Sequence, residues 1–281
     1  MRKKNTLLLV ALVVGMTSAG MASYPSSARG YHTYKERLLD TTAYSLHRRR
    51  ARLGLMQLSY GIIDQLQVTT YTLPWILGAI FQDVAPNVQL KSTFYNHKRL
   101  ALSVSGGFLT GTVLQPDGRK IRYFLVPVSA AASVRINSYV STHFGAQYTA
   151  VDGDAQNQPE GTAAEGALVV DFFQLWGMAE WRLSRVVAFT FTVRWVPYVS
   201  DLILDGTVDA GNPALRARVE ADLSELRNAF AVIPGFVFSW DRANIRLGVG
   251  YNDFFVEGFF LVLPGALLSN VSFEFDVFVR F

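Results

Sequence analysis

The chain contains no cysteine. That excludes disulfides, thiolate metal sites and a thiol nucleophile. It has four histidines, and no Cys/His array, phosphate-binding glycine loop or nucleic-acid motif accompanies them. Half of its residues are apolar. Yet beyond the first twenty positions no apolar run approaches the ~20 residues that a spanning helix takes. The surplus of positive charge is also local. Setting aside Arg2, Lys3 and Lys4 lowers the formal net charge from +4 to +1. Residues 51–281 carry 17 basic and 20 acidic side chains. A high isoelectric point confined to one end gives no reason to expect a nucleic-acid partner.

The N-terminus has the layout of a secretory signal peptide. Arg2, Lys3 and Lys4 precede the apolar Leu7 to Val14, and Gly20-Met-Ala22 supplies small residues for cleavage. The expected division is 1–22 signal peptide, 23–40 periplasmic N-terminal extension and 41–281 main domain. No cysteine follows the apolar segment, so a lipoprotein anchor is excluded.

The far end carries the clearest pattern. In Asn270-Val-Ser-Phe-Glu-Phe-Asp-Val-Phe-Val-Arg-Phe281, Val271, Phe273, Phe275, Val277, Val279 and Phe281 share one parity. Ser272, Glu274, Asp276 and Arg280 share the other, with Phe278 the exception. A strand sends alternate side chains to opposite faces, so one face is apolar and the other charged. This resembles the closing strand of a bacterial outer-membrane β-barrel. The resemblance implies a place in the outer membrane of a Gram-negative bacterium and a role for Phe281 as an assembly signal. A second resemblance, Tyr60-Gly-Ile-Ile-Asp-Gln-Leu-Gln-Val68, is to aromatic-Gly-x-x-Asp-x-Leu hairpins. These occur in many barrels, including small transport-like ones associated with aromatic-compound degradation. It implies a barrel and transfers no functional residue.

Alternation and turns place strands at 41–47, 51–60, 66–77, 87–95, 99–112, 122–136, 139–151, 166–183, 186–199, 228–240, 243–254 and 270–281. Pro74 and Pro127 interrupt two of them. Short turns alternate with long segments at 78–86, 113–121, 152–165, 200–227 and 255–269. Outer-membrane barrels keep short turns in the periplasm and long loops outside. With both termini periplasmic the strand number is even, and 41–47 supplies the first upward strand, placing Arg48-Arg49-Arg50 in the first outer hairpin. The expected fold is therefore all-β, an antiparallel transmembrane β-barrel of about twelve strands, with ten as the alternative. Tyr60, Tyr95, Trp181, Trp240 and Phe281 fall at one level. Trp75, Trp195, Tyr198 and Tyr251 fall at another, as in interfacial aromatic girdles.

Parity assigns to the lumen Gln67, Gln89, Ser103, Gln174, Thr190 and Thr192. It also assigns the charged side chains Lys91, Arg135, Glu180, Arg182, Arg194, Arg246, Glu274, Asp276 and Arg280. Six cations against three anions suit a constriction that prefers anions. The competing reading is internal salt bridges filling a narrow barrel. Among the outer loops, 152–165 is acidic and lacks the glycine and glutamate of a calcium loop. Ala214 to Arg227 fits a short helix capped by Asn212-Pro213. The apolar 259–268 suits an extended hairpin or a contact surface. His143 shares a face with Ser141, but neighbours two apart on one strand make a poor nucleophile–base pair.

The reading is a narrow passive channel for small solutes. The alternatives are a non-transporting structural or surface-interaction barrel with a salt-bridged interior, and an outer-membrane enzyme, which the histidine positions disfavour. No metal or cofactor is expected. The expected partners are outer-membrane lipid, lipopolysaccharide, the barrel-assembly machinery and a small solute.

Overall fold

The structure is a computed structural model that describes residues 42–80, 86–97, 99–114, 120–157, 163–184, 186–200, 202–209, 215–221, 229–240, 243–251 and 271–281. Among these residues the chain forms β1 (Ala51–Gly54), β2 (Gln57–Ile63), β3 (Leu66–Tyr71), α1 (Thr72–Ile80), β4 (Asn87–His97), β5 (Leu100–Leu114), β6 (Lys120–Arg135) and β7 (Val140–Asn157). There follow β8 (Ala163–Arg182), β9 (Val187–Val199), β10 (Leu202–Asp209), β11 (Leu215–Ala221), β12 (Ala229–Ser239), β13 (Ala243–Tyr251) and β14 (Val271–Arg280).

Twelve of these strands close on themselves. β1 to β9 pair in sequence, β9 pairs with β12, β12 with β13, β13 with β14, and β14 returns to β1. Closure removes every sheet edge from the ring, which is what permits strands to cross lipid. β10 and β11 stand apart from the ring. They form a hairpin that pairs with the outer part of β8, from Ile203↔Val169 to Asp209↔Ala163.

The exterior is the face that alternation predicts. On β9, Phe191 and Trp195 are exposed while Thr190, Thr192 and Arg194 are buried. On β14, Phe275 and Val277 are exposed and Asp276 and Phe278 are buried. Tyr60, Tyr95, Trp181, Trp240 and Phe281 are exposed at the end with short turns, and Trp75, Trp195, Tyr198 and Tyr251 toward the other. A shallow groove of about 400 Å³ on this face is walled by Phe144, Leu175, Trp195 and Phe230 over Gly177.

The wall has uneven height. β5 to β8 run for 15 to 20 residues, whereas β1, β2 and β3 have four, seven and six. A strand needs ~9–11 residues to cross a bilayer. Where β3 ends, α1 takes over, packing against β2 and β5 and exposing Trp75 and Ile76. The junction is tied by one side chain. Asn87 Oδ1 accepts from Tyr71 N–H and from Thr70 Oγ1, and its Nδ2 donates to the Tyr71 carbonyl. The amide thus continues the ladder where the backbone pairing with β4 has stopped.

Several expectations are corrected. Residues 42–47 are not a strand; they run through the lumen. The first upward strand is β1, and what reads as one strand at 51–60 is two, β1 and β2, joined by a tight turn at Leu55-Met56. Strand 66–77 ends at Tyr71, because Pro74 falls in the first turn of a helix, where its missing N–H costs nothing. The expected helix at 214–227 is in its described part the strand β11, since pairing with β10 outweighs a modest helical pattern. Arg48-Arg49-Arg50 lies at the short-turn end beside Phe281 and not in an outer hairpin: Ala51 N–H donates to the Phe281 carbonyl at 3.2 Å. The run 259–268 lies outside the described residues.

Candidate functional site: the lumen and the strap that crosses it

Inward side chains form tiers. Toward the outer end Leu109, Leu125, Val151, Phe172, Val196 and Val199 make one apolar cluster, with Tyr71 packed against it. Below it is an uncharged polar belt. Gln89 Nε2 donates to Ser105 Oγ at 3.2 Å, Ser105 and Ser129 hydroxyls are 2.7 Å apart, and Gln147 Nε2 donates to Thr149 Oγ1 at 3.0 Å. The charged tier lies nearest the short-turn end.

Into the lower lumen comes the chain's own N-terminal segment. Thr42, Ala43, Tyr44, Ser45 and Leu46 are all buried, Thr42 and Ala43 completely. Polar side chains of the wall hold this strap. Ala43 N–H donates to Ser133 Oγ at 2.7 Å and Leu46 N–H to Gln67 Oε1 at 2.9 Å. Lys91 Nζ donates to the Thr42 carbonyl and Thr93 Oγ1 to the Ala43 carbonyl. Ser45 and Thr93 hydroxyls are 2.7 Å apart. The strap leaves the lumen directly over Gly61. A Cβ there would lie 2.1 Å from the His47 carbonyl oxygen and 2.8 Å from that of Leu46. The glycine of the Tyr60–Val68 hairpin is thus required by the crossing, because only a residue without a side chain lets backbones approach so closely.

The charged side chains assigned to the lumen are brought together in two groups. On one side Arg52 Nη2 donates to Asp276 Oδ2 at 2.6 Å, and its guanidinium lies 4.0 Å from the centre of the Phe278 ring. Arg246 is in register opposite Asp276, and Arg280 opposite Arg52. Phe278, the exception to parity in the last strand, therefore faces inward as a platform for a cation. Arg52 was missed by the sequence reasoning; its alternation is hidden in a four-residue strand. Glu274 is on β14 in register with Gly248.

On the other side Arg182 Nε is 3.4 Å from Glu180 Oε1, and Glu180 Oε2 is 3.8 Å from His143 Nε2. His143 Nδ1 is 2.7 Å from Ser133 Oγ. So His143 meets Ser133 of the neighbouring strand and not Ser141. The row Ser133–His143–Glu180 has the residue types of a nucleophile, base and orienting acid. Ser133 is sealed from solvent, its hydroxyl already accepts the strap's Ala43 N–H, and the carboxylate is beyond hydrogen-bond distance of the ring. Its visible role is to hold the strap. Lys91 does the same from β4. Arg194 is buried between Trp176 and Ala231 in register on either side, and Arg135 is opposite Ser141 near the short-turn end.

No known protein family matches the chain, and no curated protein matches it. Solved structures do. The P. putida toluene transporter TodX aligns at 10% identity and TM-score 0.43 over 82% of this chain and 66% of its own. The CymD monoaromatic hydrocarbon channel aligns at 12% and 0.44 over 94% and 74%. Outer-membrane expressed OmpT of Vibrio cholerae aligns at 12% and 0.38 over 80% and 63%. The chain spans about two thirds of the length of the toluene transporter. The closed antiparallel ring and its apolar, aromatic-rimmed exterior make the chain a β-barrel of the bacterial outer-membrane type.

Proposed function

We propose that this outer-membrane barrel is a narrow passive channel for small solutes, held shut in the described state by residues 42–47. The observation that carries the reading is how the strap is held. Its backbone and hydroxyl groups bond to Ser133, Thr93, Gln67 and Lys91 side chains, partners that water can replace at a net cost of only ~0.5–1.5 kcal/mol each. Its apolar contact with the wall is small, Ala43 and Tyr44 against Ala101 and Ala131. The lumen charges, Arg194 foremost, would then bias whatever passes toward anions.

The second reading is a closed structural barrel. The buried Arg52–Asp276 and Arg182–Glu180 pairs favour it, because paired charges at the lumen wall need no solute. Planar-bilayer recording separates the two. Wild-type protein is expected to give rare steps, and a Ser133→Ala/Thr93→Ala variant that loosens the strap is expected to give frequent ones. Silence from the folded double variant, and from a chain lacking residues 42–47, would leave the structural barrel as the reading.

A further inference from the structure

The three arginines at the strap's exit have no part in the lumen. His47 to Arg50 form a tight turn, closed by Arg50 N–H donating to the His47 carbonyl at 3.0 Å. It is pinned to β2 by Arg49 N–H on the Gly61 carbonyl at 2.8 Å and Gly61 N–H on the Arg50 carbonyl at 2.9 Å. Arg48, Arg49 and Arg50 are all exposed, as is Arg99 on the same rim. The acid at this turn, Asp64, is taken by His47 Nδ1 at 3.2 Å and by Arg48 N–H at 2.9 Å. Among the described residues no carboxylate meets the guanidinium groups of Arg48, Arg49, Arg50 or Arg99.

Two further facts point to a ligand. Arg49 has φ 61°, the left-handed conformation that glycine adopts freely and other residues adopt at a cost. A cation is thus kept where the backbone favours glycine, and an outlier of this kind is a pointer to function. The turn also sits level with the aromatic belt. Arg50 precedes Ala51, which is in register with Tyr60 and bonded to Phe281, and both aromatics are exposed to lipid. Belt aromatics lie at headgroup depth. The guanidinium fork matches phosphate oxygens two at a time.

We propose that the His47–Arg50 turn, with Arg99, binds the phosphate groups of anionic phospholipids in the periplasmic leaflet, and so fixes the strap where it leaves the lumen. The phosphates sit at the height of the exposed guanidinium groups and supply the counter-charge that the described residues do not.

The test is native mass spectrometry of the full-length folded chain from micelles containing equal phosphatidylethanolamine, phosphatidylglycerol and cardiolipin. The wild type is expected to retain the two anionic lipids in preference. Each Arg→Gln change at 48, 49 or 50 should lower that retention about five-fold, the effect of one basic residue near an anionic surface. Arg49→Gly separates charge from fold: it should raise the thermal midpoint by relaxing the turn, yet lose retention. Equal retention of zwitterionic and anionic lipid by the wild type overturns the proposal. So does unchanged retention in the folded triple Gln variant, or in the Arg48→Gln and Arg50→Gln single variants if the triple does not fold. A midpoint rise with glycerol phosphate equal to that with phosphatidylglycerol would assign the site to a free anion. Arginine-dependent co-sedimentation with purified cell-wall sacculi, without lipid retention, would assign it to the wall. Either result rejects the lipid.

Discussion

Replacing Gly61 by alanine tests the strap with a single methyl group. The added Cβ would lie 2.1 Å from the His47 carbonyl oxygen, and real contacts of this kind are not shorter than 3.0 Å, so strap and β2 must separate by at least 0.9 Å. The hydrogen bonds nearest the crossing are 2.8 to 2.9 Å long: Arg49 N–H to Gly61 O, Gly61 N–H to Arg50 O, and Leu46 N–H to Gln67 Oε1. Adding that displacement to any of them carries it beyond hydrogen-bonding distance. Three lost bonds at ~1 kcal/mol each and an overpacking cost of ~1–3 kcal/mol give about 4–6 kcal/mol if the strap stays. If the strap leaves instead, the loss is capped at its own binding energy and the lumen opens. Urea titration of the folded barrel, followed by its heat-modifiable mobility, reads the first outcome; bilayer current reads the second. Gly177→Ala is the control, since a Cβ there would meet nothing nearer than Phe144 Cδ1 at 3.5 Å, and its effect should stay within ~0.5 kcal/mol. A Gly61→Ala barrel with an unchanged midpoint and unchanged current would show that the strap does not cross β2 at this point.

Four shorter predictions follow from the same geometry. Asp276→Asn strands the buried Arg52 guanidinium and should cost ~3–5 kcal/mol in urea titration, whereas Arg52→Met with Asp276→Leu should recover most of it; no recovery would mean that the pair is not the cause. Phe191→Arg puts a charge on the lipid face and should lose ~2–4 kcal/mol. The adjacent Thr192→Val keeps the volume and removes a buried hydroxyl that has no hydrogen-bond partner among the described residues, so it should be neutral or stabilising, and similar losses at both sites would refute the alternation on β9. In a conducting variant, Arg194→Gln should shift the reversal potential toward cations; unchanged selectivity would remove Arg194 from the pathway. Deleting Phe281 should slow assembly and leave precursor in the periplasm, and normal amounts of folded protein in the outer membrane would end that assignment.

The strands that read clearly in the sequence are those with one face in lipid over many residues. β9 and β14 alternate because Phe191 and Trp195, or Phe275 and Val277, are exposed on the face that meets hydrocarbon. The illegible part is the low wall. Thr41-Thr-Ala-Tyr-Ser-Leu-His47 alternates as well as a short strand does, and parity demanded an upward strand there. The strand that meets the demand, β1, has four residues and turns at Leu55-Met56, with Gly54 as its one turn-forming residue inside an otherwise alternating run. After Thr72 the segment Thr72–Ile80 has no polar side chain, so its composition does not separate helix from strand. Pro74 was visible, and a helix's first turn is one of the few places where it fits. The αL conformation of Arg49 leaves no mark in a run of three arginines.

The site was legible by face and not by partner. Parity places Gln67, Lys91 and Glu180 inward, and they are inward. It cannot say whether an inward polar group meets water, another side chain or backbone, because all three satisfy the same donors and acceptors. Here a run of the chain's own peptide groups takes the place of water below the polar belt, and the wall residues that would line an aqueous pore are the residues that bind it. A polar lumen is therefore equally the signature of an open barrel and of one closed by a polar strap. Gly61 is where the strap touches the sequence pattern, since a Cβ there would meet the strap's own carbonyls. A Cβ at Gly145, of inward parity on β7, would meet the Trp176 ring, and one at Gly107, of inward parity on β5, the Val88 backbone. An inward glycine therefore marks a close approach without naming what approaches.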